Sequence, residues 1–511
     1  MKAFLMYPSK DFDPNEGQAW NAEELTKDLE LNVLFGAMSS GDPFLFEVSK
    51  GAILAGLQDP DIIHYRQDIL QDCLEHPQVV RELYGIAVQA IESEKRVWGW
   101  MSARYPEGTL YRATEVLEKF LGQLQRLRSI ADDQVAGFRS EGFRQFFLMV
   151  RRELDDAFLE LAREHVKRLQ FPSGVLISAE LGIGGKGTNY VLRKAPEISK
   201  RWIDRVQDWV DELTHSDGAQ LTYQVDPHDD AGFKALSDLR VQGILHVAAA
   251  VAQSSDHILS FFKMLRTELG FYVACLNLRD RLSEKKEPLC FPIPRSDAKT
   301  TLQCEGLYDV CLSLSLPDRA VGNDVNADGR PLVMITGANR GGKSTFLRSV
   351  GIAQLMMQCG MFVPARFFRA SVCTGIFTHF KREEDAGMKS GKLDEELARM
   401  SMIVDHVNPN SIVLFNESFA STNEREGSEI ARQIVRALLE SEVEVFYVTH
   451  LFDLAEGFFH TNQKNVLFLR AERLADGRRT FRVVEGAPQP TSHGEDLYLH
   501  VFAQETGSAA D

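Results

Sequence analysis

The sequence predicts a mixed fold, an all-helical first part followed by an α/β sheet region, and three observations carry that reading. Apolar residues recur at helical spacing through most of the chain up to about residue 284. From about Leu302, short buried strands alternate with helices, the pattern of a parallel sheet. Early in that second part PLVMIT, GANRGGKS and TFLRSVGIAQLMMQCG follow one another as strand, glycine-rich loop and helix.

A chain of 511 residues exceeds one ordinary core. The expected division is a helical core or lever domain over 1–290 with a small β-hairpin insertion near 174–194. An α/β domain over 291–488 and a short tail over 489–511 follow. KKEPLCFPI, at 285–293, is the expected linker. At 44% hydrophobic and 25% charged, the composition is that of a soluble globular protein, and no apolar run is long enough to cross a bilayer. The opening MKAFLMYPSKDFDPNEG is broken by Pro8 and by charges, unlike a secretory signal. Seven cysteines, at 73, 275, 290, 304, 311, 359 and 373, form no CxxC pair. They read as reduced thiols of a cytoplasmic protein. A net charge of −16 argues against a surface that wraps nucleic acid, while leaving room for a local basic patch.

In the first part, 61–91 carries Ile62, Ile63, Ile69, Leu70, Leu74, Val79, Val80, Leu83 and Ile86 on one stripe, with Pro77 as a break. Residues 143–169 form a second long amphipathic run. Ile258, Phe261, Phe262, Leu265, Leu269, Val273 and Leu276 share one face of a helix over 256–284. Roughly thirty helical residues span about 45 Å, which suits a lever or strut as well as an ordinary bundle helix. Between these lie two β-like stretches, 174–181 and 188–193, joined by GIGGKG. The joint is formally GxGxxG, but TNYVLRKAP after it is strand-like, so no helix N-terminus faces a pyrophosphate. It reads as a glycine-rich hairpin turn. In the second part the strands expected are 332–336, 411–415 and 443–448.

The chemistry concentrates at three strand ends. Gly337, Ala338, Asn339, Arg340, Gly341, Gly342, Lys343 and Ser344 make a complete phosphate-binding loop, with Thr345 opening the helix. Glycines let backbone N–H groups curl around a β-phosphate, Lys343 reaches the β- and γ-phosphates, and the Ser344 hydroxyl ligates Mg²⁺ of bound ATP. About seventy residues on, SIVLFNES ends a strand in Asn416-Glu417. Glu417 stands where cassette-type ATPases place the residue that activates water, and Asn416 where a magnesium-holding Asp is usual. A neutral amide loses the charge term, so slow hydrolysis is expected. VEVFYV ends in Thr449-His450, a histidine placed to sense the γ-phosphate. Together these predict an α/β P-loop NTPase domain of the ABC-ATPase type.

The residues around these sites add a resemblance. GANRGGKSTFLRSVGIAQLMMQCGMFVPA closely resembles the corresponding run of the MutS family of DNA mismatch-recognition ATPases, including Asn339, the double glycine and FVPA at 362–365. VGNDVNADG resembles the family's segment before the loop. NESFASTNEREG resembles its DEIGRGTSTYDG, keeping Glu417, Thr422 and Gly427 and replacing the first Asp by Asn416. REEDAGMKSGKLDEEL is similar to the signature segment, with Ser390 at the signature serine and Glu395 at its acidic position; Gly391 and Lys392 replace the usual Thr and Phe. THLFDL, LFGAMSSGDPFLFEVSKG and LQDPDIIHYRQDILQDCLEHPQVVRELY also have counterparts. The likeness covers nearly the whole chain and is densest over 321–454.

The resemblance implies a homodimer in which Ser390 approaches the other subunit's nucleotide across the interface, although a plain helix N-cap would also use a serine there. It implies a clamp that closes on duplex or branched DNA through backbone contacts. Lys186, Arg193, Lys194, Lys200, Arg201 and Arg205 could grip phosphates or form a solvated helix face. The family's mismatch-reading Phe-x-Glu wedge is expected to be missing. The motif occurs only at Phe158-Leu159-Glu160 and Phe415-Asn416-Glu417, neither in a DNA-reading context. Two functions follow: a DNA-acting ATPase of mismatch repair or recombination control, or an ATP-gated dimeric scaffold for a non-mismatch partner.

Overall fold

A computed structural model describes residues 1–98, 106–171, 176–181, 187–193, 230–296, 300–382, 391–461, 465–474 and 478–488. By its contacts the chain falls into two compact units whose segments interleave. One comprises Met1–Lys2, Gly85–Val135 and Phe147–Arg266; the other comprises Ala3–Tyr84, Ala136–Phe146 and Thr267–Asp511. This division does not follow the single break near residue 290 expected from the sequence.

The first unit is helical, with one hairpin. Pro106–Gln134 buries Leu110, Ala113, Leu117, Phe120, Leu124, Leu127 and Ala131, a stripe at three- and four-residue spacing. Phe120 packs on Phe262 with ring centroids 5.5 Å apart. The amphipathic run expected over 143–169 is two helices, Glu141–Glu153 and Asp156–Leu169. Asp155 breaks it: its backbone is extended and its carboxylate accepts the amide of Phe158 at 2.7 Å, capping the second helix. Strands β1 (Leu176–Leu181) and β2 (Gly187–Arg193) pair antiparallel, in keeping with the hairpin reading; residues 182–186 of the joint lie outside the described residues.

The helix expected over 256–284 is one helix of 55 residues, Asp230–Glu284, about 80 Å long at 1.5 Å per residue. Its buried stripe continues upstream of the large apolar residues through Ile244, Ala248, Val251 and Ser255. Every second one, Ala248 and Ser255, is small, so the period is faint in the sequence, while the alanines favour helix. Residues up to Arg266 belong to the first unit and those from Thr267 to the second.

The second unit holds two sheets. The smaller runs β3 (Ile293–Arg295), β7 (Phe367–Ser371), β4 (Leu302–Leu307) and β5 (Asn323–Asn326) in spatial order. The larger has the order β12 (Arg479–Glu485), β11 (Val466–Arg473), β6 (Leu332–Thr336), β10 (Glu444–Val448), β9 (Ile412–Asn416) and β8 (Ile376–Phe380). Five of its strands are parallel and β12 is an antiparallel edge. Strands β6, β9 and β10 lie within a residue of the expected positions. Their consecutive buried residues, mostly apolar, fit a sheet covered on both faces. Helix Lys343–Gln358 buries 13 of its 16 residues.

Helices from the N-terminal quarter complete this unit. Pro60–Glu75 and a helix beginning at Pro77 are separated where Pro77 predicts. Asn21 Nδ2 donates to the carbonyl of Ile376 at 2.8 Å, and the amide of Leu57 to that of Gln358 at 3.0 Å. Arg66 is fully buried; its Nε donates to Met6 O at 2.8 Å and its Nη1 to Cys359 O at 3.3 Å. The seven cysteines are unpaired, and no described helix is long and apolar enough to cross a membrane.

Candidate functional site

Strands β6, β10 and β9 are neighbours and parallel, so their C-terminal ends share one edge of the sheet. Val448 pairs with Ile335 on one side and Asn416 on the other. The ladder continues one step further: Thr449 N donates to Ile335 O at 3.1 Å and Glu417 N to Val448 O at 2.9 Å. Strand ends 32 to 113 residues apart in sequence are thereby brought to a common line.

After β6 the chain runs through Gly337, Ala338, Asn339, Arg340, Gly341 and Gly342 into helix Lys343–Gln358, with Ser344 and Thr345 in its first turn. Asn339 and Arg340 are exposed. Gly342 caps the helix at φ +93°, and a Cβ there would stand 2.6 Å from the carbonyl oxygen of Phe481 on β12. Only glycine suits that backbone beside that neighbour. The helix therefore starts with unpaired N–H groups and the positive end of its dipole at the loop, an arrangement that receives anions.

Lys343 is only 4% exposed, and its ammonium donates to the carbonyls of Gly337 (2.9 Å) and Ala338 (3.0 Å). Burial pulls its pKa down to about 8, with the nearby charge of Glu417 opposing the shift. An anion in the loop would supply the counter-charge that the two dipoles replace. Beside it, Ser344 Oγ donates to Asn416 Oδ1 at 2.8 Å. A hydroxyl and an amide oxygen this close are hard oxygen donors suited to Mg²⁺.

Glu417 and His450 meet across the ends of β9 and β10. His450 Nε2 donates to Glu417 Oε1 at 2.8 Å. That hydrogen bond, opposed by desolvation and aided by the charges of His450, Lys343 and Lys381, holds the Glu417 carboxyl below its usual range. Glu417 takes φ +56° and Phe419 φ +60°. Left-handed backbone costs an L-residue about 1–2 kcal/mol. Burying the Phe419 ring completely returns about 1.5–3 kcal/mol, enough to hold its own turn. Gly427 makes room for that turn: a Cβ there would lie 2.3 Å from Phe419 O.

The structure thus gathers Lys343, Ser344, Asn416, Glu417 and His450 at one sheet edge. Ser390 and residues 383–389 of its signature segment lie outside the described residues, as do Lys186, Lys194, Lys200, Arg201 and Arg205. Arg193 is described, and its Nε donates to Ser178 Oγ at 2.9 Å. The acidic residue of the segment that the fold takes inside is Glu396, one position beyond the Glu395 matched to the family. Lys381, whose charge reaches Glu417, and the buried His379 next to the Glu417 turn carry no motif; only strand pairing brings β8 beside β9.

Comparison with known proteins accords with this arrangement. Residues 58–285 match the family model described as the MutS2 N-terminal domain, and residues 333–498 match MutS domain V. Human MutS protein homolog 4 is 23% identical over 383 residues, covering 72% of this chain and 36% of that protein. DNA mismatch repair protein MSH3 of Arabidopsis thaliana is 34% identical over 325 residues, 61% of this chain and 28% of its own. DNA mismatch repair protein MutS of Thermotoga petrophila is 37% identical over 169 residues, 32% of this chain and 21% of its own. The chain spans at most 36% of the length of these relatives.

Proposed function

The chain belongs to the MutS family, and from that premise we propose that it is a DNA-binding ATPase of mismatch repair or recombination control. In this reading ATP is bound and hydrolysed at sites shared between two copies, and the change drives a clamp-like closure on duplex or branched DNA. The observation that carries the reading is the convergence of Lys343, the Ser344–Asn416 pair and the Glu417–His450 pair on one sheet edge.

The loop amides of Gly341, Gly342 and Lys343 bind phosphate oxygens, and Lys343 exchanges its loop carbonyls for the β- and γ-phosphates. Ser344 and Asn416 would hold Mg²⁺, which when bound neutralises the charge that develops between the phosphates. Ser344 and Asn416 offer two oxygens, and a bound nucleotide and water would supply the remaining ligands. Glu417, kept ionised by His450, orients the attacking water and takes its proton. His450 keeps that carboxylate facing the γ-phosphate position. Asn416 adds no negative charge beside the metal, so turnover is slow. Ser390 completes the site from the other copy.

Steady-state ATP hydrolysis with and without duplex, mismatched and junction DNA tests the reading. Hydrolysis that DNA stimulates, and that Glu417→Ala lowers by about 10²–10⁴-fold, is expected. Unchanged turnover in that variant would sink it. The neutral Asn416 favours a second reading, an ATP-gated dimeric scaffold with weak hydrolysis; tight ATP binding with no response to any DNA is its signature.

A further inference from the structure

The turn after Glu417 is held by a buried polar cluster that the hydrolysis scheme leaves unused. Glu396, on helix Lys392–Val404, is 6% exposed. One carboxylate oxygen accepts the amide of Phe419 at 2.9 Å and the other the hydroxyl of Ser421 at 3.1 Å. The backbone carbonyl of Glu396 accepts from His379 Nε2 at 2.9 Å, and His379 Nδ1 lies 2.7 Å from Ser418 Oγ. His379 is fully buried on β8 and stacks on Phe419, with centroids 5.1 Å apart and planes 19° from parallel. On the other side Tyr447 of β10 donates to Ser418 O at 2.9 Å. Ser418, Phe419 and Ser421 are each gripped, and both positive-φ residues of the turn, Glu417 and Phe419, lie in this short stretch.

A buried carboxylate needs donors wherever it sits, so the cluster could be ordinary core satisfaction. Its geometry says more. Both donors to Glu396 come from within four residues of Glu417, and both belong to a strained turn that L-residues leave when released. The opposite end of the link is also fixed: Arg399, on the same helix, donates to Phe380 O at 2.9 Å, beside Lys381. We infer that Glu396 and His379 are positioning residues for Glu417, tying its turn to helix Lys392–Val404 so that the placement of the carboxylate follows that helix. The inference rests on the reading of Glu417 as the group that activates water. An error of about 1 Å in such a group costs about 10²-fold in rate, while phosphate binding by the loop is untouched.

The test uses the full chain, with Glu396→Gln and His379→Phe beside Glu417→Gln. For Glu396→Gln, kcat for ATP hydrolysis should fall roughly 10- to 100-fold while KM and the affinity for a non-hydrolysable ATP analogue stay within about threefold. Placed in the Glu417→Gln background, Glu396→Gln should add less than about a twofold further loss, because two residues acting as one unit are not additive. Should Glu396→Gln fail to fold, Ser421→Ala removes one donor only and should lower kcat about three- to tenfold. A wild-type kcat in folded Glu396→Gln or Ser421→Ala overturns the inference, as does an equal loss of kcat and analogue affinity, the mark of a merely structural role. If instead Glu417→Gln itself hydrolyses ATP normally, the reading of Glu417 fails and the inference falls with it. Loss in Glu417→Gln with none in Glu396→Gln overturns the positioning role alone.

Discussion

Raising the pH from 7 to 9 should strip the loop of the charge it presents to phosphate. Burial brings the Lys343 pKa down to about 8 because it disfavours the ammonium more than the nearby charge of Glu417 favours it. Bound phosphates stabilise the ammonium and return its pKa toward the ordinary lysine value of about 10.4. The sign follows. The free protein loses the proton as pH rises through about 8 and the complex keeps it, so binding takes up a proton and weakens as pH rises. With half the lysine charged at pH 8 and about a tenth at pH 9, affinity should drop about twofold and about tenfold, the latter worth about 1.4 kcal/mol. Calorimetric titration with a non-hydrolysable ATP analogue, in two buffers of different ionisation enthalpy, reads both the affinity and the proton. About half a proton should be taken up per nucleotide at pH 8. A flat affinity between pH 7 and 9 with no buffer-dependent heat would refute the reasoning, and Lys343→Met should abolish the dependence.

Asn416→Asp restores a negative charge next to Ser344 and should lower the Mg²⁺ concentration for half-maximal hydrolysis by about tenfold and raise kcat; an unchanged magnesium titration counts against Asn416 as a metal neighbour. Gly342→Ala meets both a left-handed backbone and the Phe481 carbonyl at 2.6 Å. It should lose at least about 1–2 kcal/mol of stability in denaturant unfolding and at least about tenfold in nucleotide affinity; native values for both would show the loop is free to move. Asp155→Ala removes the cap of helix Asp156–Leu169 and should lower stability by about 1 kcal/mol while leaving ATP hydrolysis alone. Altered hydrolysis there would mean that this helix end bears on the site.

Much of the candidate site's geometry was legible because its signals are local. A run of buried strand, glycines, Lys343 and Ser344 is read within fifteen residues, and Glu417 and His450 each announce themselves by ending a buried strand. Pro77 marked its break for the same reason. What failed to show is long-range or faint. Asp155 divides a run that is amphipathic on both sides, so periodicity alone joins them. The upstream half of the 55-residue helix hides behind small side chains such as Ala248 and Ser255. His379 and Glu396 gain meaning only when β8 pairs with β9 and a helix crosses beneath Phe419, and neither residue type in isolation suggests that.

The interleaving of the two compact units has a consequence for synthesis. Residues 3–84 leave the ribosome first, yet Asn21 awaits Ile376, Leu57 awaits Gln358 and Arg66 awaits Cys359. At about 5–20 residues per second, roughly fifteen to seventy seconds separate the early helices from their partners. During that interval a guanidinium destined for full burial and the apolar faces of several helices remain exposed to water. A fragment begun at residue 291 would lack residues 3–84 of its own unit, leaving the backbone partners at Gln358, Cys359 and Ile376 without them.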